Sequence, residues 1–206
     1  MEELRVEDPQ SFFDYLRLEP AMFDELVQRV GPRIQKQDTY IRKAQAPGLK
    51  LAITLRFLAS GYRYPSIMYS FRVARTSISL IIPEVCKAIV EEYKDEVITC
   101  PVIPEEWALI EEVFRNRWNI PHAVRALDGK HMAIRNPAKI GSSYHNYNGF
   151  FSVVRMALMD GNYKFLWMHV GAYRSISDAQ IFDECELKNY LEDGSIGFPD
   201  PPLTSR

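Results

Sequence analysis

Phe150 to Val170 reads FFSVVRMALMDGNYKFLWMHV, and its periodicity decides the fold. Phe150 to Met159 is largely apolar, the pattern of a strand covered on both faces. Asp160-Gly161-Asn162 is a tight-turn signal. Beyond it Tyr163, Phe165, Trp167 and His169 alternate with Lys164, Leu166, Met168 and Val170. Two strands joined by such a turn form an antiparallel hairpin. Upstream, Ala123 to Leu127 is a short strand candidate that ends at Asp128-Gly129. Downstream, a helix is expected to begin near Asp178. Residues 121–206 therefore read as one side of an α/β sheet.

Residues 1–120 carry a helical period instead. Phe12, Phe13 and Leu16, then Met22, Phe23, Leu26, Val27 and Val30, recur at three- and four-residue spacings. Ala46-Pro47-Gly48 breaks the pattern. Leu49 to Ala59 is apolar except at Lys50, Thr54 and Arg56, which predicts a buried helix ending near Gly61. Pro104 opens another helix, with Glu105 and Glu106 suited to its positive N-terminal end. Trp107, Ile110, Phe114 and Trp118 fall along one face of it and read as core. The expectation is an α+β chain: a helical domain at 1–120 and a mixed α/β domain at 121–206.

Within the helical part, residues 64–93 have a helix-turn-helix outline. A short helix over Ser66–Phe71 is followed by Arg72-Val73-Ala74-Arg75. Thr76 or Ser77 is placed to cap a second helix through Ile78, Ile81, Ile82, Val85 and Ile89, which Pro83 should kink. Arg72, Arg75, Ser77 and Ser79 lie where phosphate or base contacts arise in such a motif.

The chain has 206 residues, 47% hydrophobic and 25% charged, which excludes disordered and low-complexity classes. No apolar run approaches the roughly 18 residues of a membrane-spanning helix. The acidic start MEELRVEDPQ lacks the apolar segment of a secretory signal. Cys86, Cys100 and Cys185 form no C-x-x-C pair, so neither a disulfide framework nor a cysteine zinc site is expected, and a reducing, intracellular home is. The net charge of −2 conceals an asymmetry. Arg29 to Arg75 holds ten basic residues and one acid, Asp38, before Glu84, Glu91, Glu92, Asp95 and Glu96 reverse the sign. A basic block of this kind attracts polyanions, with an affinity that falls as salt rises. A solvated helix face is the plainer explanation of the same run.

A carboxylate at a strand end holds an oxygen in a fixed place, which a divalent cation needs. Asp128 meets that description, and it also fits an ordinary turn aspartate before glycine. Asp178 closes Ser175-Ile-Ser-Asp178, a helix-capping pattern, and taken alone is a helix N-terminus acid.

Taken in order, the motifs of Arg125 to Phe182, RALDGKHMAIRNPAKIGSSYHNYNGFFSVVRMALMDGNYKFLWMHVGAYRSISDAQIF, carry more. The stretch resembles the DDE domain of PIF/Harbinger-type transposases and the domesticated Harbinger-derived nucleases. Shared features are the DGKH box, the loop leading to a Phe-Ser strand, the hairpin around an Asp turn, and the Gly-containing loop with Ser-Asp before a helix. TLRFLASG, FRVARTSISLIIPEVC and PEEWALIEEVFRNRWNIP extend the resemblance over the helical part. It implies an RNase H-like core that binds Mg²⁺ or Mn²⁺ and cuts or joins DNA in the nucleus, with a separate Myb-like DNA-binding protein as partner. Carried over by position, Asp128 is the first metal-binding, catalytic acid and Asp178 the second. Lys130 and His131 belong to the first box, where they either contact a phosphate or support the strand. Lys130 would also offset repulsion between the acids.

Some features depart from the family. Its third carboxylate lies on a later element, and no residue from Glu184 to Asp200 stands in matching context. Arg125, Asn148 and Tyr173 replace residues usual there. A C-terminally truncated copy is expected. The leading expectation is an incomplete Harbinger-like, metal-dependent DNA endonuclease domain. A catalytically silent DNA- or protein-binding module and a helical scaffold are the alternatives.

Overall fold

A computed structural model describes residues 2–38, 40, 43–135, 144–146, 149–172, 178–194 and 196–197, apart from the side chains of Glu2, Glu3, Ala172, Asp178 and Ala179. The chain is α+β and divides into two compact units, Met1–Lys94 and Asp95–Arg206.

The first unit is helical: α1 (Glu2–Glu7), α2 (Pro9–Leu16), α3 (Pro20–Ile34), α4 (Pro47–Ser60), α5 (Tyr64–Phe71) and most of α6 (Arg75–Val97). Proline sets the starts. Pro9, Pro20, Pro47 and Pro65 each occupy a first or second helical position, where the missing N–H costs nothing. Asp8 caps α2 by accepting the Ser11 N–H at 3.0 Å. As expected, α4 ends at Gly61, whose left-handed backbone lets its N–H donate to Phe57 O at 2.9 Å. Leu51 and Ile53 of α4 are fully buried among Phe12, Phe23, Val30, Ile67 and Ile78. Phe12 meets Phe23 edge to face at 5.4 Å.

The turn before α6 differs from the sequence expectation. Arg72 takes the left-handed conformation, Val73 is buried, and α6 already begins at Arg75. Thr76 and Ser77 therefore lie inside the helix and not at its cap. Helix α6 continues across Pro83 to Val97.

The second unit holds α7 (Pro104–Trp118), then β1 (Ala126–Ala133), β2 (Ser152–Met159), β3 (Phe165–Ala172), α8 (Asp178–Glu184) and α9 (Glu186–Glu192). The strands form an antiparallel sheet in the order β1-β2-β3. The unit boundary falls at Lys94/Asp95, ahead of the division at 120 read from periodicity. The reason is α7, whose Trp107 is fully buried with Leu158, Leu166 and Leu187 and donates its indole N–H to Ile196 O at 2.8 Å. The β2–β3 turn also docks on α7: Trp118 donates to Gly161 O at 2.8 Å and Arg117 to Asn162 Oδ1 at 3.0 Å. Within the turn, Asp160 Oδ1 accepts the N–H groups of Asn162 and Lys164.

Candidate functional site

Strand β1 starts and ends later than its composition indicated. Asp128 is its third residue and not its terminus. The cause is β2, which offers a backbone partner to every residue from Ala126 (opposite Met159) to Ala133 (opposite Ser152) and so holds Asp128 and Gly129 extended. Asp128 sits opposite Ala157, itself opposite Met168, and Lys130 sits opposite Arg155. Because strand side chains alternate, Asp128, Lys130 and Arg155 share one face. Asp128 and Lys130 are exposed, and neither makes a hydrogen bond or ion pair among the described residues. Asp128 is also the single carboxylate on the three strands.

Gly129 and His131 face the other way, beside Met156 and Val154. Helix α8 covers that face, with Ile181 buried against Val154 and Met156. His131 Nδ1 lies 3.0 Å from Ser152 Oγ, which accepts an N–H from Asn146 Nδ2 at 3.0 Å. Asn146 Oδ1 in turn accepts the Phe150 N–H. A serine beside a histidine is the arrangement of an activated nucleophile. Ser152 and Asn146 are buried, however, so the trio fastens the loop before β2 to β1. Of the two roles open to His131, the geometry matches strand support. Lys130, on the Asp128 face, is the one of the pair open to a phosphate. Sequence reading missed the roles of Ser152, Asn146 and Arg155, although Ser152 stands in the Phe-Ser strand motif. Arg155 is half-buried with its guanidinium 5.1 Å from the Phe165 ring, and its Nε is buried without a hydrogen-bond partner.

Asp178 is the first residue of α8. Its side chain, and with it the distance to Asp128, lies outside the described residues. Among the described residues no three His, Cys, Asp or Glu side chains gather around a common point. The Cys86 and Cys100 thiols are not activated nucleophiles either, since burial raises the pKa of both.

In the helical unit Arg72, Arg75 and Ser79 are exposed and Ser77 is half-buried. Ser79 Oγ donates to Thr76 O at 2.8 Å. Arg72 and Arg75 make no ion pair or hydrogen bond among the described residues. Much of the remaining basic block is engaged internally. Arg29 and Arg33 both meet Glu92, at 3.3 and 2.9 Å, and Lys36 and Lys50 both meet Glu84, at 2.9 and 3.5 Å. Arg56 donates to Tyr15 O and lies over the Tyr15 and Tyr62 rings. Two carboxylates of the acidic run that follows in sequence thus pair with four cations of the basic run in space.

The family described as DDE superfamily endonuclease matches residues 127–203, which is less than half of the chain. The match spans the three-stranded sheet and the two helices after it, and it begins one residue before Asp128. That region is similar to the endonuclease domains of this superfamily. No curated protein and no solved structure matches the chain.

Proposed function

We propose that the sheet unit is a Harbinger-like, RNase H-like nuclease domain that acts on DNA phosphodiesters with a divalent cation. The observation that carries this reading is Asp128: an exposed, unpartnered carboxylate on β1, at the start of the DDE-similar stretch. Its hard oxygens are the donor type that Mg²⁺ or Mn²⁺ takes, and one carboxylate alone is a weak site. Asp178 supplies the second. The bound metal would supply an activated water and charge neutralisation at the phosphate. Lys130 and Arg155, on the Asp128 face, draw the phosphate backbone to it and offset repulsion between the acids. The reading carries with it a nuclear location and a Myb-like DNA-binding partner.

Plasmid nicking by the full chain with Mn²⁺ tests it. Asp128→Asn and Asp178→Asn each abolish nicking, and cleavage retained by either variant removes that acid from the site.

A second reading, a catalytically silent DNA-binding module, draws on the exposed, unpartnered Arg72 and Arg75, with Ser77 and Ser79 beside them. On this reading the chain binds duplex DNA with a strong salt dependence and does not nick it in any metal.

A further inference from the structure

The helical unit contains a cavity of about 220 Å³ lined by Lys36, Lys43, Lys50, Ser77 and Glu84. A single water needs only roughly 10–15 Å³ measured this way, so the space admits a polyatomic ion. Three ammonium groups face one carboxylate, and no other acid lines the cavity among the described residues. Glu84 is already divided between two of the cations, 2.9 Å from Lys36 Nζ and 3.5 Å from Lys50 Nζ. Lys43 is exposed and has no partner among the described residues.

Lys50 is the most informative of the three. Its side chain is only 4% exposed, and its Nζ donates to Ile34 O at 2.6 Å. That contact has a structural purpose: Ile34 ends α3, and a cation there satisfies a terminal carbonyl and complements the helix dipole. It uses one of three N–H donors, and Glu84 faces a second. The third has no protein partner among the described residues. Burying a charged group is costly unless its hydrogen bonds are completed.

We propose that this cavity is a binding site for a phosphate dianion, either inorganic phosphate or a terminal phosphate of a nucleotide or DNA strand. Two surplus positive charges match a dianion. The Lys50 donor and the free Lys43 ammonium supply directional contacts. The site lies in the other unit from Asp128 and stands whether or not the nuclease reading does.

Calorimetric titration of the full chain with inorganic phosphate, at ionic strength matched with chloride, tests the proposal. Saturable one-to-one binding is expected. Lys43→Gln weakens it about tenfold while leaving the melting temperature without phosphate unchanged, because Lys43 has no partner to lose. Glu84→Gln, which removes the negative charge from the cavity, tightens it. Lys50→Met abolishes it, and Lys43→Gln keeps the test decisive should that variant not fold. A 5′-phosphorylated oligonucleotide competes with phosphate and its unphosphorylated twin does not, if terminal phosphates are bound. Competition by the free ion alone assigns the site to inorganic phosphate. No saturable phosphate binding, equal competition by both oligonucleotides, or binding unaltered in Lys43→Gln would overturn the proposal.

Discussion

Arg33 Nε donates to Glu92 Oε2 at 2.9 Å across 59 residues of sequence. Arg29 reaches the other oxygen of the same carboxylate and lies over the Tyr93 ring. One glutamate of α6 therefore holds two arginines of α3. The hydrogen bond from Arg33 is the largest cause of a lowered Glu92 pKa; desolvation opposes it, and Arg29 adds to the lowering. A carboxylate whose folded pKa lies below its unfolded value contributes stability that is complete above the unfolded pKa, about 4.3 for Glu. That stability is lost as pH falls through the folded value. Thermal unfolding between pH 7 and pH 2.5 should show it: Glu92→Gln melts lower than the parent at pH 7, and the two converge in acid. Curves that stay parallel over the whole range would mean the ion pair is absent in solution.

The same internal pairing separates two kinds of arginine in the basic block. Arg72 and Arg75 are exposed and unpartnered, whereas Arg33 and Arg56 are held by the fold. A phosphate-contacting arginine contributes about one unit to the slope of log affinity against log salt. Arg72→Ala and Arg75→Ala should each lower that slope for duplex DNA by about one, with little change in melting temperature. Arg56→Ala should lower the melting temperature and leave the slope alone. Equal slopes in all variants would remove residues 72 and 75 from any DNA contact.

What could be read in advance follows from the range of the interaction. The D-G-N hairpin, the Gly61 stop and the Pro104 start depend on residues within a turn of one another, and each is found where the local pattern puts it. The extent of β1 depends on backbone partners in β2 some 20 or more residues away, so the local pattern stops the strand at Asp128 where the sheet carries it through to Ala133. The basic block misled for a similar reason: Glu84 and Glu92 follow it in sequence yet pair with it in space. Trp107 shows how far apolar spacing reaches, since it identified a core residue and gave no sign that the core was that of the sheet unit. Asp128 was legible as a candidate from its motif. The fastening of β1 through His131, Ser152 and Asn146 was not, because Ser152 and Asn146 acquire meaning only once His131 is brought beside them.

Asp128 and Ser152 should respond to substitution in opposite ways. Asp128 is exposed and makes no contact that folding depends on, so Asp128→Asn should change stability by less than about 0.5 kcal/mol. Any loss of nicking or metal affinity in that variant then belongs to the site. Ser152 is buried between His131 and Asn146, and Ser152→Ala leaves both without their shared oxygen. Unsatisfied buried polar groups cost about 1–3 kcal/mol, which denaturant unfolding of the full chain resolves. A neutral Ser152→Ala would show that the trio does not fasten the strand.

Gly161 carries the last prediction, and space is the reason, since its backbone conformation is open to other residues. A Cβ built at Gly161 would lie 2.8 Å from Val113 Cγ1 and 3.4 Å from the Phe114 nitrogen. The turn rests so closely on α7 because Trp118 donates to the Gly161 carbonyl and Arg117 to Asn162. Gly161→Ala must push the turn off the helix or turn Val113 aside, an overpacking that costs about 1–3 kcal/mol. Displacement of the turn would also break the hydrogen bond from the Trp118 indole, which is already 41% exposed, and shift tryptophan emission in the folded state. Val113→Ala removes the obstructing methyl. The double variant should therefore be more stable than the sum of the two single effects, a coupling that a double-mutant cycle measures directly. Strict additivity of the two substitutions would show that the β2–β3 turn does not rest on α7 at this point.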